Sequence, residues 1–493
     1  MESMITIPNV VAAFGSTVII GTVWICFQVV RIAYDPDLRE IPGPLISTFT
    51  NIPLKIAILR GRRSVYIHAL HEQYGPYVRI APREIAIADF DAFRTIHRIG
   101  SDFNKGPWYQ GQAPGQDSDD NSGVFCVLSN KAASHRRRRF QAAGTRKVVA
   151  EWEPQVVELV DLTVHRIQHD LQHRGESDVM KWWTFLASDV TGSLAFGEPF
   201  GNVQNGERSA LVRDIEAAMP IIGMRIELPW TKPILDGLPT WCGNSWSPLF
   251  ERFVGYGQDA VRATRAAQAG GSKTLFSKMV VQDEKEQEIP DDLIEKEARN
   301  VIVAGTDTTA MTLTYLTYAV LKHEQIKQRL VAELKRLSTR PTWGELENAK
   351  LLNNVIQETM RLYPAIPGSL MRTVPAGGAH LGGFVLPTGT QVATQAWTFH
   401  RDANVFDQPL RFNPDRWDNS TPAMKEHMMA FGGPTRICLG QNIARLEILY
   451  AVSTLFRTCP DITLAPSTTD NSMEMVDYFA IKPKAGKCVV IPV

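Results

Sequence analysis

The chain has 493 residues, and its 52 lysines and arginines balance 52 aspartates and glutamates. With 44% hydrophobic and 21% charged residues, the composition is that of a folded chain and excludes a disordered or fibrous protein. The neutral net charge argues against a nucleic-acid-binding protein, which would carry an excess of basic residues. The six cysteines form no CxxC pair and indicate neither a zinc knuckle nor a thioredoxin-type site, and their scarcity favours a reducing compartment.

The first 31 residues are predicted to be a membrane anchor. No charged residue occurs in residues 5–30, and a helix of about 20 mostly apolar residues is enough to cross a bilayer. A cleaved signal peptide and a buried soluble helix are the alternatives, although a signal peptide would begin with basic residues and have a shorter core. No lysine or arginine precedes the span, so the positive-inside rule places the remaining chain in the cytosol.

Residues 32–50 are predicted to form a proline-rich hinge. Within them, Ile41-Pro-Gly-Pro44 cannot continue a helix and makes a stiff bend. Residues 51–493 follow as one body without repeats or a second domain boundary. This body begins with a predicted β-hairpin over residues 77–90, where apolar residues alternate on both sides of a Pro82-Arg83 turn.

A long loop and then a mostly helical region are predicted next. The loop, residues 101–123, is rich in glycine, proline, aspartate and glutamine, and loops of this length are often functional. Beyond it the pattern is helical to about residue 363, with the longest helix predicted over residues 291–323. Glycine and proline become frequent again over residues 364–434, with short strand-like pieces. The sequence therefore predicts one mainly α domain with minor β structure.

Three local patterns are interpreted as chance or as exposed surface. Residues 255–260 fit a G-x-G-x-x-A dinucleotide fingerprint, but they lie in a helical stretch instead of following a strand. His165, His169 and His173 recur every four residues on a polar helix face, which spreads the outer two by about 12 Å and favours a solvated face over a metal site. The Asn419-Ser-Thr421 sequon would face the cytosol and carry no sugar.

The strongest candidate site is the segment Phe431-Gly-Gly-Pro-Thr-Arg-Ile-Cys-Leu-Gly440. It places Cys438 in a glycine-containing loop just before a predicted helix, whose N-terminal dipole stabilises a thiolate. The glycines permit close backbone approach, so that backbone N–H groups can hydrogen-bond to the sulfur. Arg436 lies where it can pair with an anion near the same site. A lone cysteine in a loop is as often a buried small residue, so this segment alone leaves both interpretations open.

Two further segments favour a functional site. Glu358 and Arg361 lie three residues apart and share one helix face. Such a pair is usually a surface salt bridge, but the apolar residues around it favour burial. A buried pair needs a further partner, and Arg416 is a candidate. Residues 304–309, Ala-Gly-Thr-Asp-Thr-Thr, lie in the middle of the longest predicted helix although glycine and threonine are weak helix formers. This predicts a locally opened helix with polar side chains facing a cavity, where an adjacent acid and alcohol suit proton delivery.

These segments resemble the cytochrome P450 family over nearly the whole chain. The cysteine loop resembles the signature F-x-x-G-x-R-x-C-x-G, and residues 304–309 match the oxygen-activation motif. Glu358 and Arg361 match E-x-x-R, with Arg416 as third member of that structural triad. Pro434 stands where the signature usually has glycine, which leaves the local backbone open. The resemblance implies a mainly α fold with minor β, haem b buried between the long central helix and the cysteine-loop helix, and one preceding N-terminal transmembrane helix.

The resemblance also assigns cofactor contacts. Cys438 is the implied thiolate ligand of the haem iron, and Phe431 is implied to contact the same cofactor. Arg436 and Arg372 are implied to pair with haem propionates.

The basic run His135-Arg-Arg-Arg-Arg139 has several interpretations. A nucleic-acid patch and a solvated helix face are the general ones. In the family, the corresponding helix carries a W-x-x-x-R pattern to a haem propionate, so His135, in place of the tryptophan, and Arg139 are predicted to face the haem. The arginines between them are predicted to point elsewhere and to form a basic surface that attracts an acidic flavoprotein reductase.

Substrate contacts follow from family position alone. The loop with residues 108–109 and the segments 365–370 and 476–479 are implied to line an apolar pocket, suited to a terpenoid, polyketide or alkaloid of fungal secondary metabolism. The individual residues implied are Trp108, Tyr109, Ala304, Ile366, Tyr478 and Phe479.

The leading hypothesis is a haem-thiolate monooxygenase that inserts one atom of O2 into a lipophilic small molecule by hydroxylation, epoxidation or successive oxidation. Asp307 and Thr308 would relay protons. The resemblance implies electrons from NADPH through a separate NADPH-cytochrome P450 reductase, with cytochrome b5 as a further candidate donor, and a single-pass protein of the endoplasmic reticulum membrane. A haem-thiolate isomerase or dehydratase and a non-enzymatic haem-binding membrane protein are the alternatives, and the intact acid–alcohol pair argues against both.

Overall fold

The computed structural model describes residues 7–112, 118–228, 231, 246–270, 273–280 and 290–493. Most of these residues are helical. Numbered along the described residues, the α-helices are α1 (Ile7–Ala33), α2 (Pro36–Arg39), α3 (Ile52–Leu59), α4 (Arg63–Tyr74), α5 (Phe90–His97), α6 (Asn130–Ala143), α7 (Arg146–Val149), α8 (Glu153–Arg174), α9 (Val179–Phe196), α10 (Asn202–Asn205), α11 (Ala210–Glu227), α12 (Trp246–Gln268), α13 (Leu275–Val280), α14 (Asp291–Lys322), α15 (Glu324–Leu334), α16 (Trp343–Asn348), α17 (Lys350–Leu362), α18 (Ala396–Phe399), α19 (Pro422–His427) and α20 (Gln441–Thr458).

Short strands form four small sheets within the described residues. The strands are β1 (Tyr77–Ala81), β2 (Glu84–Ile87), β3 (Asn104–Lys105), β4 (Ser177–Asp178), β5 (Ser369–Thr373), β6 (Ala379–Leu381), β7 (Phe384–Leu386), β8 (Gln391–Gln395), β9 (Ile462–Leu464), β10 (Met475–Asp477), β11 (Ile481–Pro483) and β12 (Val489–Pro492). The largest sheet has the order β1-β2-β8-β5-β3, in which only the β2–β8 pair is parallel. A second sheet has the order β4-β12-β9, and β6–β7 and β10–β11 are separate hairpins.

The main hydrophobic core lies between α8, α9, α14, α17 and α20. Helix α9 is buried on nearly all sides, which its apolar sequence with Trp182, Trp183 and Phe185 permits. Helix α14 packs against α9 on one side and against α20, the helix that follows the cysteine loop, on another. The long helix and the cysteine-loop helix are therefore held in fixed relation by the core.

The mainly α fold with minor β structure is confirmed. The hairpin predicted over residues 77–90 is formed by β1 and β2, with Tyr77 opposite Ile87. The longest predicted helix, residues 291–323, is α14 and ends one residue earlier. The loop predicted over residues 101–123 contains β3 and the 3-10 helix Pro107–Gln112, and its residues 113–117 lie outside the described residues.

The transmembrane helix predicted for residues 1–31 is not shown. Helix α1 covers most of that stretch, and residues 1–6 lie outside the described residues. Of the helices in the described part of the chain, none is both long and apolar enough to cross a membrane.

Arg79 of β1 fastens the end of α1 to the largest sheet. Its buried guanidinium donates hydrogen bonds to the carbonyls of Ile32 at 2.8 Å and Ala33 at 3.4 Å, which are among the C-terminal carbonyls that a helix leaves without partners. The Arg79 backbone N–H also donates to the Pro42 carbonyl at 2.7 Å. Gly43 lies so close to this strand that a Cβ there would come within 2.5 Å of the Arg79 carbonyl. The stiff segment after α1 is thus packed directly on β1.

Candidate active site

The cysteine loop is held by its own backbone. The N–H of Cys438 donates to the carbonyl of Phe431 at 2.8 Å, which closes the loop just before α20 begins at Gln441. Gly433 packs against His97, where a Cβ would approach the imidazole to 3.1 Å. Pro434 occupies the first position of the 3-10 helix Pro434–Arg436, where its missing N–H is not needed and its fixed φ suits the turn. The departure from the expected glycine is therefore accommodated locally.

The thiol of Cys438 is accessible on one side but is otherwise surrounded by protein. Burial raises the pKa of the Cys438 thiol, whereas the backbone N–H of Gly440 and the positive charge of Arg137 act in the opposite direction. Arg137 is buried on α6 and donates a hydrogen bond to the carbonyl of Ile437, next to the cysteine. The helix N-terminus, the Gly440 N–H and the charge of Arg137 all favour the thiolate form, and burial of the sulfur opposes them and is the larger effect on its pKa.

Buried cations cluster next to the cysteine loop. Lys105 of β3 lies directly opposite Arg372 of β5, and both are almost completely buried. The Nε and Nη1 atoms of Arg372 and the Nη1 atom of Arg436 have no hydrogen-bond partner among the described residues. Burial and the charges of Arg372 and Arg137 lower the pKa of Arg436 to about 9, and burial lowers that of Lys105 well below its usual range. Guanidinium nitrogens without a partner, within a cluster of buried positive charges, suit an anion with several carboxylate oxygens.

The basic run on α6 differs from its prediction in one respect. His135 is exposed and Arg139 is partly buried. Arg137 was expected to point away from the site, and this expectation is wrong because its side chain contacts the cysteine loop. Arg136 donates to the carbonyls of Ser122 and Asp120, so it too makes contacts within the domain.

Glu358, Arg361 and Arg416 meet in a fully buried network. Arg361 donates to both carboxylate oxygens of Glu358, at 2.9 and 2.8 Å, and Arg416 donates to the same carboxylate at 3.1 Å. The indole N–H of Trp417 and the backbone N–H of Asn413 complete its coordination, at 3.0 and 2.9 Å. Arg361 also donates to backbone carbonyls of residues 400, 409 and 411. The carboxylate is fully satisfied, so the network fixes the segment before the cysteine loop against α17.

Helix α14 is continuous through residues 304–309, so the predicted local opening of the helix is wrong. The glycine has a packing role instead, because a Cβ at Gly305 would come within 2.4 Å of the Thr191 hydroxyl on α9. Gly305 therefore permits the close crossing of two buried helices. The hydroxyls of Thr306 and Thr308 donate within the helix, to the carbonyls of Ile302 at 2.9 Å and Ala304 at 2.8 Å.

Asp307 and Thr308 point to different sides of α14. Asp307 is buried beside a small cleft lined by residues of α9, α11 and β11, where its carboxylate lies 3.8 Å from the ammonium of Lys482. Burial raises the pKa of Asp307, and Lys482 opposes this rise. Ala304 is exposed and Thr308 is half-buried on the adjacent side. The carboxyl group of Asp307 and the hydroxyl group of Thr308 therefore lie on two different sides of the same helix turn.

Aromatic rings from two distant segments form one cluster. Phe479 lies 5.9 Å from Trp108 and 6.0 Å from Phe125, and Tyr109 lies 5.5 Å from Phe125, measured between ring centroids. The ammonium of Lys105 lies over the rings of Tyr109 and Phe125, at 4.0 and 4.4 Å from their centroids. The buried cations and the aromatic cluster are therefore in direct contact, through Lys105.

The predicted substrate residues do not all join this cluster. Phe479 has φ of +127°, a conformation that a bulky residue adopts only where its surroundings enforce it. Its neighbour Tyr478 is 60% exposed and lies outside the cluster. Ile366 is half-buried. Its segment is tied to the β10–β11 hairpin by the hydrogen bond from the Ile481 N–H to the Ala365 carbonyl, at 3.0 Å.

A model of the cytochrome P450 family matches residues 41–489. The chain is a cytochrome P450. It is 34% identical over 482 residues to the cytochrome P450 monooxygenase tazI of Aspergillus terreus, with 96% of this chain and 98% of that protein covered. It is also 34% identical over 475 residues to stcB of Emericella nidulans, covering 94% of this chain and 90% of that one. Since these relatives are named monooxygenases, this P450 is an oxidoreductase of the same kind.

A solved structure supports the fold. The retinoic acid-bound cyanobacterial CYP120A1 matches this P450 with a TM-score of 0.69 at 20% identity, covering 86% of this chain and 93% of that one. At this identity the likeness concerns the fold alone. Membership of the family implies haem, O2, a redox partner and a hydrophobic substrate.

The residues of this P450 fit a haem. Cys438 lies just before α20, where it would supply a thiolate ligand, and the guanidinium nitrogens of Arg372 and Arg436 that lack a hydrogen-bond partner among the described residues would suit the two propionate carboxylates. Lys105 and Arg137 contribute positive charge beside them and were not predicted. No sequence signal identified Lys105, since its role depends on lying opposite Arg372, which is far away in the chain.

Proposed function

We propose that this P450 inserts one atom of O2 into a lipophilic small molecule, as a tailoring step in fungal secondary metabolism of a terpenoid, polyketide or alkaloid. The observation that supports the proposal most is the structure of the cysteine loop. The hydrogen bond from the Cys438 N–H to the Phe431 carbonyl closes this loop, and Arg137 contacts it at Ile437. The fungal relatives named monooxygenases support the reaction class. The aromatic cluster of Trp108, Tyr109, Phe125 and Phe479 supports an apolar substrate.

Individual residues have distinct proposed roles. Cys438 ligates the haem iron, and haem with a thiolate ligand supplies the oxygen-activating redox chemistry. Arg372 and Arg436 hold the propionates, with His135 and Arg139 as further proposed contacts from α6. Phe431 is partly buried against the main hydrophobic core and is a further proposed haem contact.

Asp307 and Thr308 form the proposed proton route. The carboxylate of Asp307 faces the cleft that contains Lys482, and the Thr308 hydroxyl faces the adjacent side, where Ala304 is exposed. The raised pKa of Asp307 brings its carboxyl closer to the pH at which an acid can both accept and release a proton. We therefore assign Asp307 to proton uptake from the cleft and Thr308 to proton delivery on the reaction side.

Electrons are proposed to come from NADPH through a separate NADPH-cytochrome P450 reductase, with cytochrome b5 as a further donor. Arg136 and Arg137 make contacts within the domain, so the exposed Arg138 and Lys131 are the part of α6 proposed to face an acidic partner. Replacing Arg138 with glutamate should slow reduction by the reductase and weaken the salt dependence of its rate. An unchanged reduction rate would place the docking surface elsewhere.

The protein is proposed to lie at the endoplasmic reticulum membrane, with residues 1–31 as a single-pass anchor, 32–50 as the hinge and 51–493 as the cytosolic catalytic domain. Helix α3 supports contact with lipid, because Ile52, Ile56 and Leu59 form an exposed apolar face, with Leu45 exposed beside it. Flotation of the full chain with vesicles tests the location. Loss of flotation when residues 1–31 are removed supports the anchor, and its retention assigns binding to α3.

The decisive tests use haem spectroscopy and oxygen labelling. The reduced protein with carbon monoxide should show the thiolate-specific absorption, and Cys438→Ser should abolish it. Incubation with NADPH, reductase and labelled O2 should place one labelled atom in a lipophilic metabolite. Thr308→Ala should lower the fraction of NADPH that yields product while NADPH consumption continues. Coupled turnover unaffected by Thr308→Ala would overturn the proton-delivery role.

A further inference from the structure

Glu227 is a buried acid at a position where a helix disfavours negative charge. It is the last residue of α11, where the helix dipole presents its negative end. Its exposed fraction is only 6%. A buried carboxylate at this position requires specific partners, because neither water nor the helix stabilises it.

Two residues from distant segments supply those partners. The indole N–H of Trp108, in the 3-10 helix Pro107–Gln112, donates to Oε1 of Glu227 at 2.8 Å. The ammonium of Lys55, on α3, donates to Oε2 at 2.5 Å. The carboxylate therefore joins three segments that are far apart in the chain: α3, the 107–112 turn and the end of α11.

The packing around Glu227 reinforces this junction. Gly111 of the 3-10 helix lies against Ile226, so that a Cβ there would approach the Ile226 side chain to 3.1 Å. Trp108 also contacts Tyr109 and Phe479, with ring centroids 5.2 and 5.9 Å away. The same indole thus belongs both to the aromatic cluster and to the contact with α11.

We propose that Glu227 is a positioning residue that limits the entry and exit of bulky apolar ligands by holding Trp108 and Lys55 together. We call these three residues the clasp. The inference rests on the proposed function, since it takes the aromatic cluster as a wall of the haem pocket. Opening the clasp breaks two charge-assisted hydrogen bonds and leaves a buried carboxylate unpaired, and this applies equally to a ligand that enters and to one that leaves.

The chemistry of the clasp predicts which ligands it affects. A ligand small enough to pass the closed clasp should bind at a rate that Glu227 does not influence. A bulky ligand should enter only when Trp108 moves with the end of α11, and the clasp should close again over the bound ligand. Glu227 should therefore change the association and dissociation rates by the same factor and leave the Kd unchanged.

The test measures binding of two azoles to the full-length haem protein by stopped-flow absorbance. Imidazole is the small probe and clotrimazole the bulky one, and both shift the Soret band when they bind. Glu227→Gln keeps the shape of the side chain and one acceptor oxygen but removes its charge. It should accelerate clotrimazole association and dissociation alike by about tenfold or more, with imidazole rates unchanged.

A second variant distinguishes the clasp from simple loss of folding. Lys55→Gln should give the same pattern, and combining Lys55→Gln with Glu227→Gln should add little. Glu347→Gln is the matched control, since Glu347 pairs with Arg146 at 2.6 Å on the surface, away from the clasp. This control should leave all rates unchanged.

Three results would overturn the clasp. A changed Kd for clotrimazole would mean that Glu227 shapes the wall instead of its opening. Equal acceleration of imidazole would mean general loosening of the pocket, and a silent Lys55→Gln variant would remove the charge pair from the mechanism. If the wild-type protein binds neither azole, the proposed function itself fails, a result that is distinct from failure of the clasp.

Discussion

Glu297, on α14 upstream of Thr308, offers a quantitative test of the electrostatics of this structure. Its carboxylate is 3% exposed and accepts a hydrogen bond from the backbone N–H of Val124 at 2.6 Å. It thereby attaches the segment before α6 to the long helix. Burial raises the pKa of Glu297 to about 7, against opposing contributions from the Val124 N–H, Asn300 and the charge of Arg136.

The direction of the pH effect follows from proton binding. Because the pKa of Glu297 rises from 4.5 to about 7 on folding, the folded chain binds this proton more tightly than the unfolded chain. The resulting stabilisation is complete below pH 4.5 and is lost as the pH rises through about 7. At 1.36 kcal/mol for each tenfold change in proton affinity, the loss amounts to about 3 kcal/mol.

Replacing Glu297 with glutamine removes the pH-dependent contribution of this carboxyl group, because glutamine keeps an acceptor for the Val124 N–H and has no proton to lose. The stability of Glu297→Gln relative to the wild type should increase by about 3 kcal/mol between about pH 4.5 and pH 8. Unfolding by urea, followed by tryptophan fluorescence across this pH range, measures the difference. Glu295→Gln is the matched control, because Glu295 is partly exposed on the same helix and pairs with Arg299 at 3.4 Å.

A stability difference between Glu297→Gln and the wild type that did not change with pH would contradict the raised pKa of Glu297. So would a loss of stability of the variant relative to the wild type above pH 7. That outcome would mean that an ionised Glu297 is the better partner of the Val124 N–H in the folded state. A pH-dependent gain in Glu295→Gln as well would assign the effect to the net charge of the helix.

Three further substitutions probe the packing and the charges. Gly305→Ala forces a methyl group against the Thr191 hydroxyl and should lower the free energy of unfolding by about 1–3 kcal/mol, with recovery on adding Thr191→Ala. Glu358→Gln leaves buried arginines unpaired and should cost about 3–5 kcal/mol, seen as a lower Tm and less haem bound per chain. Lys482→Met removes the cation that lowers the pKa of Asp307, so the acidic limb of the rate–pH profile should move to higher pH.

Each of these expectations has a control or a contrary outcome. A neutral Gly305→Ala would mean that α9 and α14 separate easily. Normal haem content and Tm in Glu358→Gln would remove its network from the folding of the cysteine-loop region. Lys484→Met, a change on a surface ion pair, should leave the rate–pH profile in place, and an unshifted profile in Lys482→Met would disconnect Asp307 from the rate.

The parts of the site carried by short motifs could be predicted from the sequence. Cys438 lies in a loop whose glycines and following helix are contiguous with it, and Glu358 and Arg361 meet because three residues bring two side chains to one helix face. Their partner Arg416 comes from a separate segment; it was a candidate because a buried pair needs a further partner, and the resemblance supported it.

Features that depend on packing between distant segments could not be predicted. Gly305 was interpreted as a sign of an opened helix. Its actual role, close packing against Thr191, could not be seen in the sequence because Thr191 belongs to another helix. Lys105 gains its role from a strand register with Arg372, which no local pattern records. Within the run of consecutive arginines on α6, no apolar periodicity indicated that Arg137 would face the cysteine loop.

The grip of Arg79 on the end of α1 has a practical consequence for shortened forms of the protein. A chain cut after Ala33 would lose both α1 carbonyls that accept hydrogen bonds from the guanidinium and would leave it bound to the Pro82 carbonyl alone. A buried donor deprived of its acceptor costs about 1–3 kcal/mol. Shortened chains should therefore begin before Ile32, so that they keep the last turn of α1, whose carbonyls Arg79 binds.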